Sequence, residues 1–96
     1  MKTSSKRIKN FDLLEQIRKQ PCLVCRKISG EVHHIKSRGS GGHDIESNLI
    51  PLCRVHHTEV HKIGLNRFSE KYKEMSLFLT SNGWEFSASV NKWKNF

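Results

Sequence analysis

Two pairs of adjacent histidines, His33-His34 and His56-His57, lie in this 96-residue chain beside cysteines at metal-ligand spacing. Cys22-x-x-Cys25 precedes the first pair. Cys53-x-x-His56 runs into the second, and His61 follows His57 by four positions. These eight soft or borderline ligands are too many for one ion, and their spacing divides them into two sets. A C-x-x-C turn points both thiolates inward, and Cys53-x-x-His56 repeats that spacing with imidazole as the fourth donor. Cys22, Cys25, Cys53 and His56 therefore read as a closed Cys3His structural zinc clamp. The odd number of cysteines also argues for metal rather than a disulfide framework.

The remaining imidazoles suggest different chemistry. His57 and His61 would project from one face of a helix and make a two-ligand platform. His33 and His34 sit on an expected strand, where neighbouring side chains point to opposite faces. Both reach one site only if the strand end twists or enters the following loop. Three neutral imidazoles leave the +2 charge of an ion uncancelled, suited to taking a phosphate oxygen and stabilising an expelled 3′ oxygen. A fourth imidazole off the metal can take a proton from water near neutral pH. His43 stands apart in a glycine-rich loop, and no role is expected for it.

The elements that would position these groups can be read from periodicity. Phe11 to about Lys19 predicts a helix with Leu13, Leu14 and Ile17 on one face, ended by Pro21. Gly30–Lys36 predicts a strand, Ser37–His43 a flexible loop with three glycines, and Asn48–Cys53 a second strand. Arg54 to Ile63 predicts a helix stopped at Gly64. Ser69–Leu79 predicts a further helix, followed by an aromatic tail carrying Trp84, Phe86, Val90 and Trp93. The tryptophans are expected to cover the core rather than stack on bases.

The chain is short enough for one domain, 1–96, with a basic flexible arm at 1–9, knuckles and strands at 21–63, and the helix and tail at 64–96. A core of modest hydrophobic content benefits from a metal staple. The N-terminal run lacks an apolar segment behind its charges, and no stretch is long or apolar enough to span a membrane, so a cytoplasmic location is expected. The net charge of +8, from 17 Lys and Arg against 9 Asp and Glu, favours a polyanionic partner, nucleic acid being the usual one.

Val32-His33-His34-Ile35, then Gly41-Gly42, then Asn48-Leu49-Ile50-Pro51-Leu52-Cys53, then His56-His57 and His61, together resemble the HNH endonuclease family. Cys22-x-x-Cys25 resembles its zinc-bound branch, and Pro51 to His61 looks most like small phage-type members. The match covers roughly residues 21–63. It implies an α+β fold, a small ββα-metal (His-Me finger) domain with a structural zinc clamp and flanking helices. It implies His34 as general base, His33, His57 and His61 as ligands of a catalytic divalent ion, and Asn48 bracing the loop that holds the base. One departure is His56, which stands where relatives commonly carry a second cysteine of the pair.

Metal-dependent hydrolysis of DNA phosphodiester bonds is the activity this implies, leaving 5′-phosphate and 3′-hydroxyl. Imidazole ligation suits Mn²⁺, Ni²⁺, Co²⁺ or Zn²⁺ as well as Mg²⁺. Lys36, Arg38, Arg54 and Lys62 flank the site and are expected to contact phosphates of duplex or branched DNA. Little base readout and strong salt dependence should follow. A single site implies a dimer or two encounters for double-strand cleavage, a homodimer or a protein partner is the expected association, and the resemblance suggests a phage-encoded protein acting in host cytoplasm. The competing reading is a zinc-stabilised nucleic-acid-binding module without catalysis, which leaves four spaced imidazoles without a task.

Overall fold

The computed structural model describes residues 7–95, so the part of the expected basic arm at 1–6 lies outside the described residues. Helix α1 spans Phe11–Arg18. Its start is set by Asn10, whose side chain accepts a hydrogen bond from the Leu13 amide at 3.0 Å, and Asp12 and Arg18 suit the two ends of the helix dipole. Leu14 and Ile17 are buried with Leu49, which seats α1 on a two-stranded antiparallel sheet.

That sheet pairs β1 (Glu31–His34) with β2 (Leu49–Leu52), in a register that sets His33 opposite Ile50 and His34 opposite Leu49. Strand alternation gives the sheet two different faces. Ile50 and Leu52 join the main core with Val60 of α2 (Arg54–Ile63), while Leu49 and Val32 pack towards α1. The hairpin is thus held between two helices.

The N-terminal segment differs from expectation where it is described. Residues 7–9 are not a free arm. Arg7 donates to the Asp44 carboxylate at 2.9 Å, the Ile8 amide donates to His43 Nδ1 at 2.8 Å, and the Asp44 amide donates to the Ile8 carbonyl. The segment is stapled to the loop between β1 and β2, because a buried carboxylate there requires donors.

That loop is also more ordered than its glycines suggest. Ser37 caps a single 3-10 turn at Arg38–Ser40, and its carbonyl accepts from the Gly42 amide at 2.8 Å. A Cβ added at Gly42 would lie 1.7 Å from the Lys36 carbonyl oxygen, so the chain closes on itself there only because the side chain is absent. Gly42→Ala is expected to destabilise the domain by about 3 kcal/mol, the upper range for overpacking. A thermal melt that leaves the midpoint unchanged would contradict this.

Beyond α2 the chain departs from the expected single helix and tail. Gly64 stops α2 as expected, but with φ 88° and ψ 161° it turns the chain directly into α3 (Leu65–Lys71). Tyr72 is extended and separates α3 from α4 (Lys73–Ser81), so residues 69–79 do not form one helix. The break follows from tertiary contacts: Tyr72 reaches back to donate to Glu59 of α2 at 2.6 Å, and Lys71 pairs with the same carboxylate. Phe68, Met75 and Leu79 still enter the main core from both sides of the break.

Residues 84–95 are not an irregular tail. Strands β3 (Trp84–Ser87) and β4 (Lys92–Asn95) form a second antiparallel hairpin, closed by Asn91 at φ 54°. Trp84 and Trp93 pack against the core, and their indoles donate to the Ser47 carbonyl and Ser69 hydroxyl. The molecule is an α+β domain, and no described helix is long and apolar enough to cross a membrane.

Candidate metal centres

The first centre closes the ends of the β1–β2 hairpin. Cys22 and Cys25 lie on the turn after α1, where the Cys22 amide donates to Lys27 and the Arg26 amide returns to Cys22. Arg26 takes a positive φ of 68° to make that turn. The Leu23 amide donates to the Pro51 carbonyl at 2.9 Å, which ties this knuckle to the end of β2, where Cys53 and His56 enter α2.

Cys25 Sγ lies 3.8 Å from Cys53 Sγ, and His56 Nδ1 lies 3.2 Å from Cys53 Sγ and 3.7 Å from Cys22 Sγ. A tetrahedron with zinc–sulfur bonds of about 2.3 Å has sulfur–sulfur edges of about 3.8 Å and sulfur–nitrogen edges of about 3.6 Å. The three cysteines are free, and the separation is far longer than a disulfide. Burial pushes the Cys22 thiol up, but backbone amides of Cys25, Cys53 and Val24 outweigh it and lower its pKa to about 6. A sulfur ready to be thiolate is what a metal requires. Near it the thiol of Cys25 is raised, because burial and the neighbouring sulfurs outweigh the Lys27 amide. The four residues form a cluster that could hold a metal such as zinc.

The second cluster lies on the α2 side of the sheet. His33, His57 and His61 place one ring nitrogen each within 4.8 Å of the others. Their ring centroids are 4.9 to 5.2 Å apart, a near-equilateral triangle. His57 Nε2 and His61 Nε2 approach to 3.2 Å, close to the nitrogen–nitrogen edge of about 3.3 Å expected around a tetrahedral ion. His33 Nδ1 is buried without a hydrogen-bond partner, a polar atom that a metal would satisfy. Burial, and then the neighbouring imidazoles, lower the His33 pKa to about 3, so its ring is neutral at physiological pH. His33 is buried, His57 half-buried and His61 exposed, leaving one side open. The donor set fits a divalent ion with free coordination positions.

Glu31, two residues before His33 and so on the same face of β1, was not signalled by the motif. Its Oε1 lies 2.8 Å from His57 Nδ1, and its Oε2 lies 3.4 Å from Arg54 Nε. A carboxylate on Nδ1–H fixes the tautomer and turns the Nε2 lone pair towards the cluster. Glu31→Gln should weaken Mn²⁺ binding at the three-histidine cluster by about 10- to 100-fold while leaving zinc content unchanged. Titration with Mn²⁺ on the zinc-loaded protein checks it, and equal affinity would remove Glu31 from this role.

His34 does not join the three imidazoles. Alternation along β1 turns it to the other face, where its Nε2 lies 2.8 Å from Asp44 Oδ1. Asp44 is buried, with side-chain exposure of 1%, and also accepts from Arg7 and the Asn10 amide. Burial opposes its ionisation, but the Asn10 amide, His34 and Arg7 prevail and hold its pKa at about 2. The only signal for Asp44 in the sequence was its place just after the glycines.

Asn48 is buried and spans the loop. Its Oδ1 accepts from the Lys36 amide at 2.7 Å, and its Nδ2 donates to the carbonyls of Lys36 and His43. It holds the backbone two residues after His34 and does not touch the imidazole. His43 is stapled to Ile8 and lies outside both clusters. Lys36, Arg38 and Lys62 are exposed, whereas Arg54, also exposed, is drawn towards Glu31.

This geometry defines a small α+β domain with one Cys3His cluster and one open three-histidine cluster. The chain belongs to a family described as "Protein of unknown function (DUF968)", whose model matches residues 1–84. It is similar to "Uncharacterized protein YdfU" of Escherichia coli (strain K12), at 34% identity over 59 residues. That match covers 58% of this chain and 17% of the relative, so the chain spans under a fifth of the relative's length. No solved structure matches it significantly.

Proposed function

We propose that this chain is a metal-dependent HNH endonuclease domain that hydrolyses DNA phosphodiester bonds. The observation that carries the reading is the three-histidine cluster, open on one side, with a carboxylate-held imidazole at the adjacent position of the same strand. The order β1, glycine loop, β2, α2, with ligands on β1 and α2, supports a ββα-metal finger. The knuckles at both ends of the hairpin support its zinc-bound branch.

His33, His57 and His61 would hold the catalytic ion. When bound, a divalent ion supplies Lewis-acid stabilisation to the phosphate and the departing 3′ oxygen. His34 is the proton acceptor. With its Nε2–H given to Asp44, Nδ1 carries the lone pair and has no partner among the described residues. Water loses a proton to Nδ1 and forms the bond to phosphorus, and the bond from phosphorus to the 3′ oxygen breaks. The products are a 5′-phosphate and a 3′ oxygen that is protonated from solvent. Because His34 lies on the opposite face from the ligands, the scissile phosphate must sit across the end of β1. Asn48 keeps that end in place by fixing Lys36.

Exposed Lys36, Arg38 and Lys62 offer phosphate contacts in a chain of net charge +8. The test is supercoiled plasmid incubated in EDTA and then with Mg²⁺, Mn²⁺, Ni²⁺ or Zn²⁺ restored. Nicking that requires an added ion supports the nuclease. Plasmid bound but uncut under every ion would instead support a zinc-stabilised binding module.

A further inference from the structure

A cleft of about 850 Å³ lies outside both metal clusters, between the β1–β2 loop and the C-terminal hairpin. Lys36 and Asn48 line one side, Lys92 and Lys94 the other, and Trp84 and Trp93 contribute to its apolar part. No carboxylate lines it; Glu46 and Glu85, near in sequence to lining residues, do not reach it. Among the described residues none of its three lysines is in a salt bridge. Strand alternation sets Lys92 and Lys94 on one face of β4, where Lys94 stands opposite Glu85 in register, and Trp93 on the other, so the lysines and the indoles meet the cleft from the two sides of the β4 edge. The indoles are pinned through Ser47 and Ser69, so the wall is preformed rather than assembled on binding.

We propose that this cleft binds the phosphate backbone of a single nucleic-acid strand, with Lys92 and Lys94 as phosphate contacts. The inference rests on the nucleic-acid part of the reading above. It adds the C-terminal hairpin, remote in sequence from residues 21–63, as the second wall of a cleft whose first wall is the β1–β2 loop. Charge selects the ligand: three lysines and no carboxylate line the cleft beside apolar surface, which suits a polyanion whose bases can lie against aromatic groups. Lys36 connects the cleft to the proposed site, since it follows His34 by two residues and is held by Asn48. A strand crossing the end of β1 would leave along this wall.

The chain has two tryptophans and both line the cleft, so their fluorescence reports its occupation. Zinc-loaded protein, without other added ions, is titrated with oligothymidylate of about 12 nucleotides, a length within known single-strand site sizes. Saturable quenching that weakens with salt is expected. Lys92→Glu/Lys94→Glu should weaken binding at least tenfold. Lys92→Ala/Lys94→Ala should reduce the slope of log affinity against log salt by about 1.4, at roughly 0.7 per lost single-strand contact. Zinc content and melting temperature verify that the variants fold.

Binding seen by anisotropy of labelled oligonucleotide without quenching, or unchanged in the double variants, would overturn the cleft. Equal quenching by polyglutamate would overturn nucleic acid as its ligand. Plasmid nicking with no quenching would reject the cleft and keep the nuclease. Quenching without nicking would keep the cleft and reject the nuclease.

Discussion

Stripping the metal from Cys22, Cys25, Cys53 and His56 is expected to unfold this domain. Apparent binding energies of structural zinc are about 10–16 kcal/mol in finger peptides, comparable to the whole stability of a small domain, about 5–15 kcal/mol. Here the cluster ties the turn after α1 to the junction between the end of β2 and the start of α2. Cys22 is itself fully buried in the main core beside Ile50, Leu52 and Phe68, so losing the clamp opens that core.

Cys25→Ser, chosen because Cys25 is less buried than Cys22, should abolish the cooperative thermal transition and the bound zinc together. His56→Cys should retain both, since thiolate serves equally at a tetrahedral zinc. Circular dichroism melts with and without a strong chelator decide the matter. A chelated protein that melts as cooperatively and at the same temperature would refute a structural role for the cluster.

Replacing His34 should produce the largest catalytic effect. General-base catalysis contributes typically about 10²- to 10⁴-fold, so His34→Ala should lower metal-dependent nicking by that factor. The substitution leaves Asp44 buried with Arg7 and the Asn10 amide as partners, and some stability is lost with the imidazole. Rates are therefore compared well below the melting temperature, with zinc content measured in parallel.

The position of His34, on the opposite face from the ligands, makes a second comparison informative. Excess Mn²⁺ should partly restore His57→Ala, whose defect is in holding the ion, and should not restore His34→Ala. Asp44→Asn should fall between wild type and His34→Ala, because an amide can still position the ring but no longer stabilises its cation. Wild-type nicking by His34→Ala would remove the imidazole from proton transfer. Restoration of His34→Ala by metal would make it a ligand instead.

Much of the local architecture was legible in the residues. Leu13, Leu14 and Ile17 announce α1, and the segment from Arg54 to Gly64 announces α2, because 3.6-residue periodicity and a helix-stopping glycine are local properties. The Cys3His grouping was legible as well, since x-x spacing constrains a turn however the rest folds. Tyr72 was not, because its extended conformation answers to Glu59 on another helix, and periodicity alone runs through it. Nor was the hairpin at 84–95 read from its aromatic residues, whose pairing joins strands across a turn.

The same division holds within the candidate site. Sequence alone determined which side chains could ligate and that His33 and His34 alternate, because identity and strand period are written in the chain. Only the tertiary structure decided that His34 goes with Asp44 and that Glu31 stands behind His57. Those partners stand 10 and 26 residues apart and are positioned as α1 and α2 close on opposite faces of one small sheet. Side-chain type is carried by one position, whereas a contact depends on every packed residue between its two ends.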